Sequence, residues 1–101
     1  GNIYAKSKKD GLRGSDGIYL INTDVKIESE GSGIVTTNIG KKNKGAIGIE
    51  GAKISIVAGE YGIVCAENLH VNSSDIYCKS IIEDKKVDGE IFIEEGSFTN
   101  E

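Results

Sequence analysis

The sequence lacks several residue types, and each absence narrows what the chain can be. Its 101 residues include no Pro, Met or Trp, and its two Cys are too few for a disulfide framework. Long apolar runs are also missing, so no segment reaches the ~20 residues that a transmembrane helix requires. The formal net charge of −4 argues against a nucleic-acid binder, which must neutralise phosphates. We expect one small domain over residues 1–101.

Glycine, by contrast, is abundant, and its 14 residues occur beside many Ile and Val. This combination is typical of short strands separated by tight turns. Apolar residues recur in pairs separated by one residue, which places both members on one face of a strand. A spacing of two, broken every few residues, does not make the 3.6-residue stripe of an amphipathic helix. The chain is therefore predicted to be all-β.

The apolar pairs form three repeating series, each named here after one of its first residues. The Ile3 series is Ile3/Ala5, Val25/Ile27, Ile54/Ile56, Ile76/Cys78 and Phe98. Its interval is constant except between Val25 and Ile54, where an insertion loop at residues 38–44 accounts for the difference. The Ile18 series, seven residues before the corresponding Ile3 members, is Ile18/Leu20, Ile47/Ile49, Leu69/Val71 and Ile91/Ile93. The Leu12 series, nine residues after the Ile3 members, is Gly11-Leu12, Gly33-Ile34 and Gly62-Ile63, and we expect Ser80-Ile81 to take this place in the last coil.

These spacings predict a right-handed parallel β-helix, or β-solenoid, with about 22 residues and three short strands per coil and four to five coils. Strands of successive coils would stack ~4.8 Å apart around a narrow apolar core. The corner segments Asn22-Thr23-Asp24, Gly51-Ala52-Lys53 and Ser73-Ser74-Asp75 contain residues that tolerate a sharp bend. Cys65 and Cys78 occupy inward positions, where we expect buried thiols; a disulfide between them is the alternative.

Neither end of the sequence shows the amphipathic helix or charged strand that caps many solenoids, so we expect no caps. Two interpretations follow from this pattern. In the first, the chain is a segment of a longer β-helix. In the second, its ends pair head to tail with another copy, a contact that can continue as a filament.

Three segments carry a resemblance to a known family: KSKKDGLRGSDGIYLINTDVKIES, KGAIGIEGAKISIVAGEYGIVCAENLHVNSSDIY and GEIFIEEGSF. They resemble the carbohydrate-binding-domain β-helix proteins of anaerobic plant-cell-wall-degrading bacteria, which are structurally similar to pectate lyases but non-catalytic. The resemblance implies binding of an acidic plant polysaccharide such as polygalacturonate. It also implies bound calcium and an extracellular or cell-surface location.

The outward residue between the members of each apolar pair lies on a flat sheet face in this interpretation. These residues read Tyr19, Gly48, His70 and Phe92 along the Ile18 series, and Tyr4, Lys26, Ser55, Tyr77 and Thr99 along the Ile3 series. Aromatic rings can stack on sugar rings, and a neighbouring cation suits an acidic sugar. The predicted carbohydrate-binding residues are therefore Tyr4, Tyr19, Lys26, His70, Tyr77 and Phe92. The alternative is that they are ordinary outward residues of a kind that strands favour.

Calcium requires six to eight oxygen ligands, usually including several carboxylates. Asp10 and Asp16 flank one short strand and are the candidate ligands; the alternative is that both are solvated corner residues. Lyase chemistry would need a Lys or Arg base beside such a site, and nothing in the sequence aims Arg13 or Lys26 at a substrate. We therefore expect a non-catalytic polysaccharide-binding protein. The alternative function is a structural protein that stacks head to tail into extracellular fibres.

Overall fold

The computed structural model describes residues 1–100, which form 13 short strands. Within this range there is no helix, and hence none that could span a membrane. The strands are β1 (Asn2–Ser7), β2 (Leu12–Gly14), β3 (Gly17–Ile21), β4 (Asp24–Ser29), β5 (Ile34–Thr36), β6 (Ala46–Glu50), β7 (Lys53–Ala58), β8 (Tyr61–Cys65), β9 (Leu69–Asn72), β10 (Asp75–Ser80), β11 (Glu83–Val87), β12 (Ile91–Glu94) and β13 (Ser97–Asn100).

The strands form three sheets in which all neighbours are parallel. Sheet 1 contains β1, β4, β7, β10 and β13; sheet 2 contains β2, β5, β8 and β11; sheet 3 contains β3, β6, β9 and β12. Each coil contributes one strand to every sheet, which makes four coils, and β13 adds one further strand to sheet 1. The prediction of a β-solenoid with three short strands per coil is confirmed. Its coil period is confirmed as well, since Ile3 pairs with Val25 and Ile54 pairs with Ile76.

The predicted apolar series are the rungs of the three sheets. Val25 pairs with Ile54 in sheet 1, and Ile47 pairs with Leu69 in sheet 3. Because side chains alternate along a strand, the paired apolar residues all point inward and stack on their counterparts in the next coil. These stacked rungs of the three sheets contain the largest fully buried side chains: Ile27, Ile34, Ile47, Ile56, Ile63, Leu69 and Ile76.

The last coil departs from the prediction in sheet 2. Ser80 ends β10 and Ile81 is 80 % exposed, so the expectation that Ser80-Ile81 continues the Leu12 series is wrong. Lys85 of β11 instead pairs with Ile63, at the regular coil period. Continuity of the hydrogen-bonded ladder therefore decides the register here, although it places a lysine where the series has an apolar residue.

Lys85 tolerates this position because its ammonium group has two partners. Nζ lies 3.0 Å from Asp84 Oδ2 and 4.2 Å from the centre of the Phe98 ring. Long lysine stems can cover apolar surface while the charged head reaches a polar partner. The side chain thus covers part of the core at the last coil.

One corner of every coil contains a residue in the left-handed conformation. Asn22, Gly51, Ser73 and Glu95 have φ values of 50°, 61°, 49° and 49°, and they occupy the same corner in successive coils. They connect sheet 3 to sheet 1, as the composition of the corner segments predicts. Asparagine and glycine adopt this conformation readily, whereas serine and glutamate do so at a cost in free energy.

The longer second coil holds its extra residues in a loop between β5 and β6. The backbone N–H of Asn38 donates to Ser15 O, and that of Gly45 donates to Asp16 O, so the chain leaves the ladder at Asn38 and rejoins it at Gly45. Buried Thr36 closes the base of this loop, since its Oγ1 donates to Gly45 O at 2.5 Å. The insertion therefore leaves the coils stacked on either side of it in register.

Cys65 and Cys78 are free and buried, as expected for inward positions, and they do not form a disulfide. Burial away from water raises the pKa of the Cys78 thiol above its ordinary value of 9.0. Cys65 Sγ lies within hydrogen-bond distance of three backbone carbonyl oxygens, including that of Asn68 at 3.3 Å. Both thiols therefore contribute to packing in the interior.

Candidate functional site

The outward face of sheet 1 places its predicted residues in a single row. The strand register aligns Tyr4 with Lys26, Lys26 with Ser55 and Ser55 with Tyr77. Tyr4 is 62 % exposed and Tyr77 is 43 % exposed. They lie three strand steps apart, which is roughly 14 Å at ~4.8 Å per step. Lys26 and Ser55 thus lie between the two rings, and Thr99 on β13 continues the row beyond Tyr77.

A second row runs beside the first, two residues nearer the start of each strand. It consists of Asp24, Lys53 and Asp75, which pair with one another across β4, β7 and β10. The two rows enclose a groove of about 550 Å³, called here the sheet 1 groove. The same alternation that predicted the first row also implies the second, but without the register nothing marked its residues as part of a site.

The charged groups of the sheet 1 groove balance. Asp24 and Asp75 contribute two negative charges, and Lys26 and Lys53 contribute two positive charges. Neither lysine belongs to the ion pairs found within residues 1–100. Lys26 Nζ lies 5.8 Å from the centre of the Tyr4 ring. The Lys26 ammonium group therefore lies beside an exposed ring and forms no ion pair with a carboxylate of residues 1–100.

The outward face of sheet 3 carries the other predicted row. Tyr19, Gly48, His70 and Phe92 are aligned by the register, and they form one wall of a groove of about 290 Å³, called here the sheet 3 groove. Its other wall consists of Ile21, Glu50, Asn72 and Glu94, two residues further along each strand. The groove follows the solenoid axis between the two walls.

The aromatic residues of sheet 3 stack on each other. The His70 and Phe92 rings have centres 4.7 Å apart and planes inclined by 15°. Since these residues lie on neighbouring strands at a similar spacing, their ring faces meet along the solenoid axis and their edges face the groove. The Tyr19 ring covers Gly48, where a Cβ atom would lie only 2.8 Å from Tyr19 Cδ1. Ring orientation was not accessible from the sequence.

Asp10 and Asp16 each have their own protein partners. Asp10 Oδ2 accepts from Arg13 Nη1 at 2.8 Å, and Asp10 Oδ1 accepts from the backbone N–H of Ser32 at 2.9 Å. Asp16 accepts from the Asn38 side-chain amide and lies 3.8 Å from Lys44 Nζ. In the described part of the chain, no group of three or more His, Cys, Asp or Glu side chains is placed to hold a metal ion. Calcium binding by these two residues stays a prediction.

The family follows from a comparison with known proteins. A family model described as "Carbohydrate-binding domain-containing protein" matches residues 1–99. The chain belongs to this family. No curated protein and no solved structure matches it. Membership in a carbohydrate-binding domain family supports polysaccharide binding in general and suggests a binding module without catalytic activity.

This carbohydrate-binding domain has two aromatic grooves that differ in charge. The sheet 1 groove contains two lysines and two aspartates, whereas the described lining of the sheet 3 groove contains two glutamates and no Lys or Arg. Charge selects partners by complementarity. The two grooves therefore present different charges to a ligand.

Proposed function

We propose that this carbohydrate-binding domain is a non-catalytic module that binds an acidic plant glycan, such as polygalacturonate, in the sheet 1 groove. The observation that carries the proposal is the row Tyr4, Lys26, Ser55 and Tyr77. In this row a lysine without an ion-pair partner among residues 1–100 lies between two exposed rings. Of the two aromatic grooves, as lined by the described residues, this one alone contains lysines.

The glycan would lie along the solenoid axis and cross the strands from β1 to β10. Tyr4 and Tyr77 would pack against the C–H faces of two sugar rings. Lys26 and Lys53 would pair with uronate carboxylates, because hydrogen bonds between charged groups are about twice as strong as neutral ones. Asp24 and Asp75 would accept hydrogen bonds from sugar hydroxyls. The flat parallel sheet keeps these contacts at a regular spacing.

Isothermal titration calorimetry with oligogalacturonate tests the proposal, with an uncharged oligosaccharide of equal length as the reference ligand. Tyr77→Ala and Lys26→Gln should each weaken oligogalacturonate binding by about tenfold, which corresponds to about 1.4 kcal/mol. Tyr19→Ala, which removes a similarly exposed tyrosine from sheet 3, is the matched control and should leave this affinity unchanged. Equal affinity of the wild type for the charged and uncharged ligands would refute the acidic specificity.

Calcium dependence and location extend this proposal. A calcium ion held at Asp10 or Asp16 would make the affinity fall when a chelator is added, and Asp10→Asn would reproduce that fall. If chelator and variant both leave binding unchanged, calcium has no part in it. A glycan of the plant cell wall lies outside cells, so an extracellular or cell-surface location is part of the proposal.

Head-to-tail stacking is a second candidate function, favoured by the open edge of sheet 3. Ile91 and Ile93 occupy inward positions on β12 but are 44 % and 39 % exposed. A second copy would meet this end with the open edges of its β1, β2 and β3, and its β1 would pair with β13. Sedimentation velocity over a range of concentrations tests this candidate. Association that Ile93→Lys abolishes would support it, and a monomer at every concentration would exclude it.

A further inference from the structure

The wall of the sheet 3 groove opposite the rings is acidic. Glu50 and Glu94 are exposed there, and neither belongs to an ion pair within residues 1–100. They lie on β6 and β12, two strand steps apart, which is roughly 10 Å at ~4.8 Å per step. Asn72 on β9 pairs in register with both of them. The wall thus presents a carboxylate, an amide and a second carboxylate at equal intervals.

The opposite wall supplies apolar contact. The 67 % exposed Tyr19 ring leans over Gly48, and the edges of the stacked His70 and Phe92 rings continue the wall. A groove with one apolar and one polar wall matches a pyranose, whose C–H groups and polar substituents point in different directions. The stack also holds His70 and Phe92 in place, so little side-chain freedom remains to be lost on binding.

We infer that the sheet 3 groove is a second glycan site, selective for sugars that carry protonated amino groups. An ammonium group donates up to three hydrogen bonds, and pairing it with Glu50 or Glu94 gives a charge-assisted contact. The two carboxylates would instead repel a uronate, since the described lining of this groove has no Lys or Arg to offset them, unlike the sheet 1 groove. The inference rests on membership in the carbohydrate-binding family. It does not depend on acidic-glycan binding in the sheet 1 groove.

A glucosamine hexasaccharide is the probe, titrated into the full chain at a pH where its amines are protonated. The N-acetylated hexasaccharide, which has the same backbone without the charge, is the reference ligand. The glucosamine oligomer should bind at least tenfold more tightly than its acetylated form. The double variant E50Q/E94Q should remove that preference, and its melting curve should match that of the wild type because both side chains are exposed.

Tyr77→Ala separates the two grooves. It should leave glucosamine-oligomer binding unchanged while weakening oligogalacturonate binding. A loss of glucosamine-oligomer binding in Tyr77→Ala would place that ligand beside Asp24 and Asp75 and overturn the inference. Equal binding of the two hexasaccharides, or an undiminished preference in E50Q/E94Q, would also overturn it. None of the outcomes that would overturn the inference is a measurement of oligogalacturonate binding, so the two grooves are tested independently.

Discussion

Replacing Ile56 with Ala is expected to destabilise the solenoid far more than the same replacement at Ile91. Ile56 is completely buried on β7, where its neighbours in the ladder are Ile27 on β4 and Cys78 on β10. Ile91 also occupies an inward position, but it lies on the outermost strand of sheet 3 and is 44 % exposed. The pair of variants therefore compares one chemical change at a closed and at an open position of the same core.

The expected cost at Ile56 follows from the removed atoms and the space that they leave. Truncation removes three carbons at about 0.8 kcal/mol each, or about 2.4 kcal/mol of burial. Neighbours on both sides prevent the site from collapsing, so a cavity term raises the total to about 3–4 kcal/mol. The whole domain is expected to be stable by about 5–15 kcal/mol. Because Ile91 is already about half exposed, its truncation removes only about half as much burial as at Ile56 and leaves no closed cavity. The expected loss in the free energy of unfolding is therefore about 1 kcal/mol.

Urea denaturation followed by circular dichroism measures both free energies of unfolding. The dependence of these free energies on urea concentration should be the same in both variants, since neither change alters the area exposed on unfolding by much. The midpoint should fall strongly for Ile56→Ala and slightly for Ile91→Ala. Equal losses in the two variants would show that Ile56 is not enclosed between stacked coils, and the argument would fail.

Three further predictions concern corners and the interior. Glu95→Gly should raise stability by about 0.5 kcal/mol, because glycine relieves the left-handed φ of 49°; a lower melting temperature would contradict this. Gly62→Ala should lower the free energy of unfolding by at least ~1–3 kcal/mol, because the added Cβ would overlap Cys78 Sγ and the Asp84 carbonyl. An unchanged midpoint of urea denaturation would disprove the close approach. Because the pKa of the Cys78 thiol is raised in the folded state, the thiol of the unfolded chain ionises first as pH rises above 9.0. The folded state then holds more protons than the unfolded state, so the free energy of unfolding falls as pH rises. Wild-type stability should therefore fall relative to Cys78→Ala above that pH, and parallel curves would refute the assignment.

The coil architecture was predictable because the strands of the inner coils, such as β4, β7 and β9, bury one face. A shift of one residue would turn all inward side chains outward, so alternation in the Ile3 and Ile18 series was enough to specify the register. The same alternation predicted the outward rows that contain Tyr4 and Tyr19. The prediction was wrong at Ser80-Ile81, where an apolar residue suggested an inward position but the ladder of the preceding coils determined the pairing.

Only one wall of each candidate groove was predictable from the sequence. The second wall of each groove, with Lys53 on sheet 1 and Glu50 on sheet 3, carries no local signal, because charged outward residues are common on strands. The stacking of His70 on Phe92 depends on ring orientation, which alternation does not specify. The partners of Asp10 come from Arg13 nearby and from Ser32 one coil away, and the latter contact exists only once the coils are stacked.

By itself, the sequence determined the strand period, the coil length and which side chains face inward, because these follow from local alternation repeated at a constant interval. Only the tertiary structure decided the register of β11, the pairing of rows into two grooves and the separation of charge between them. Those features depend on which residue of one coil lies against which residue of the next. Side chains one coil apart in the sequence, such as those of Tyr4 and Lys26, become neighbours only through the ladder that joins the coils.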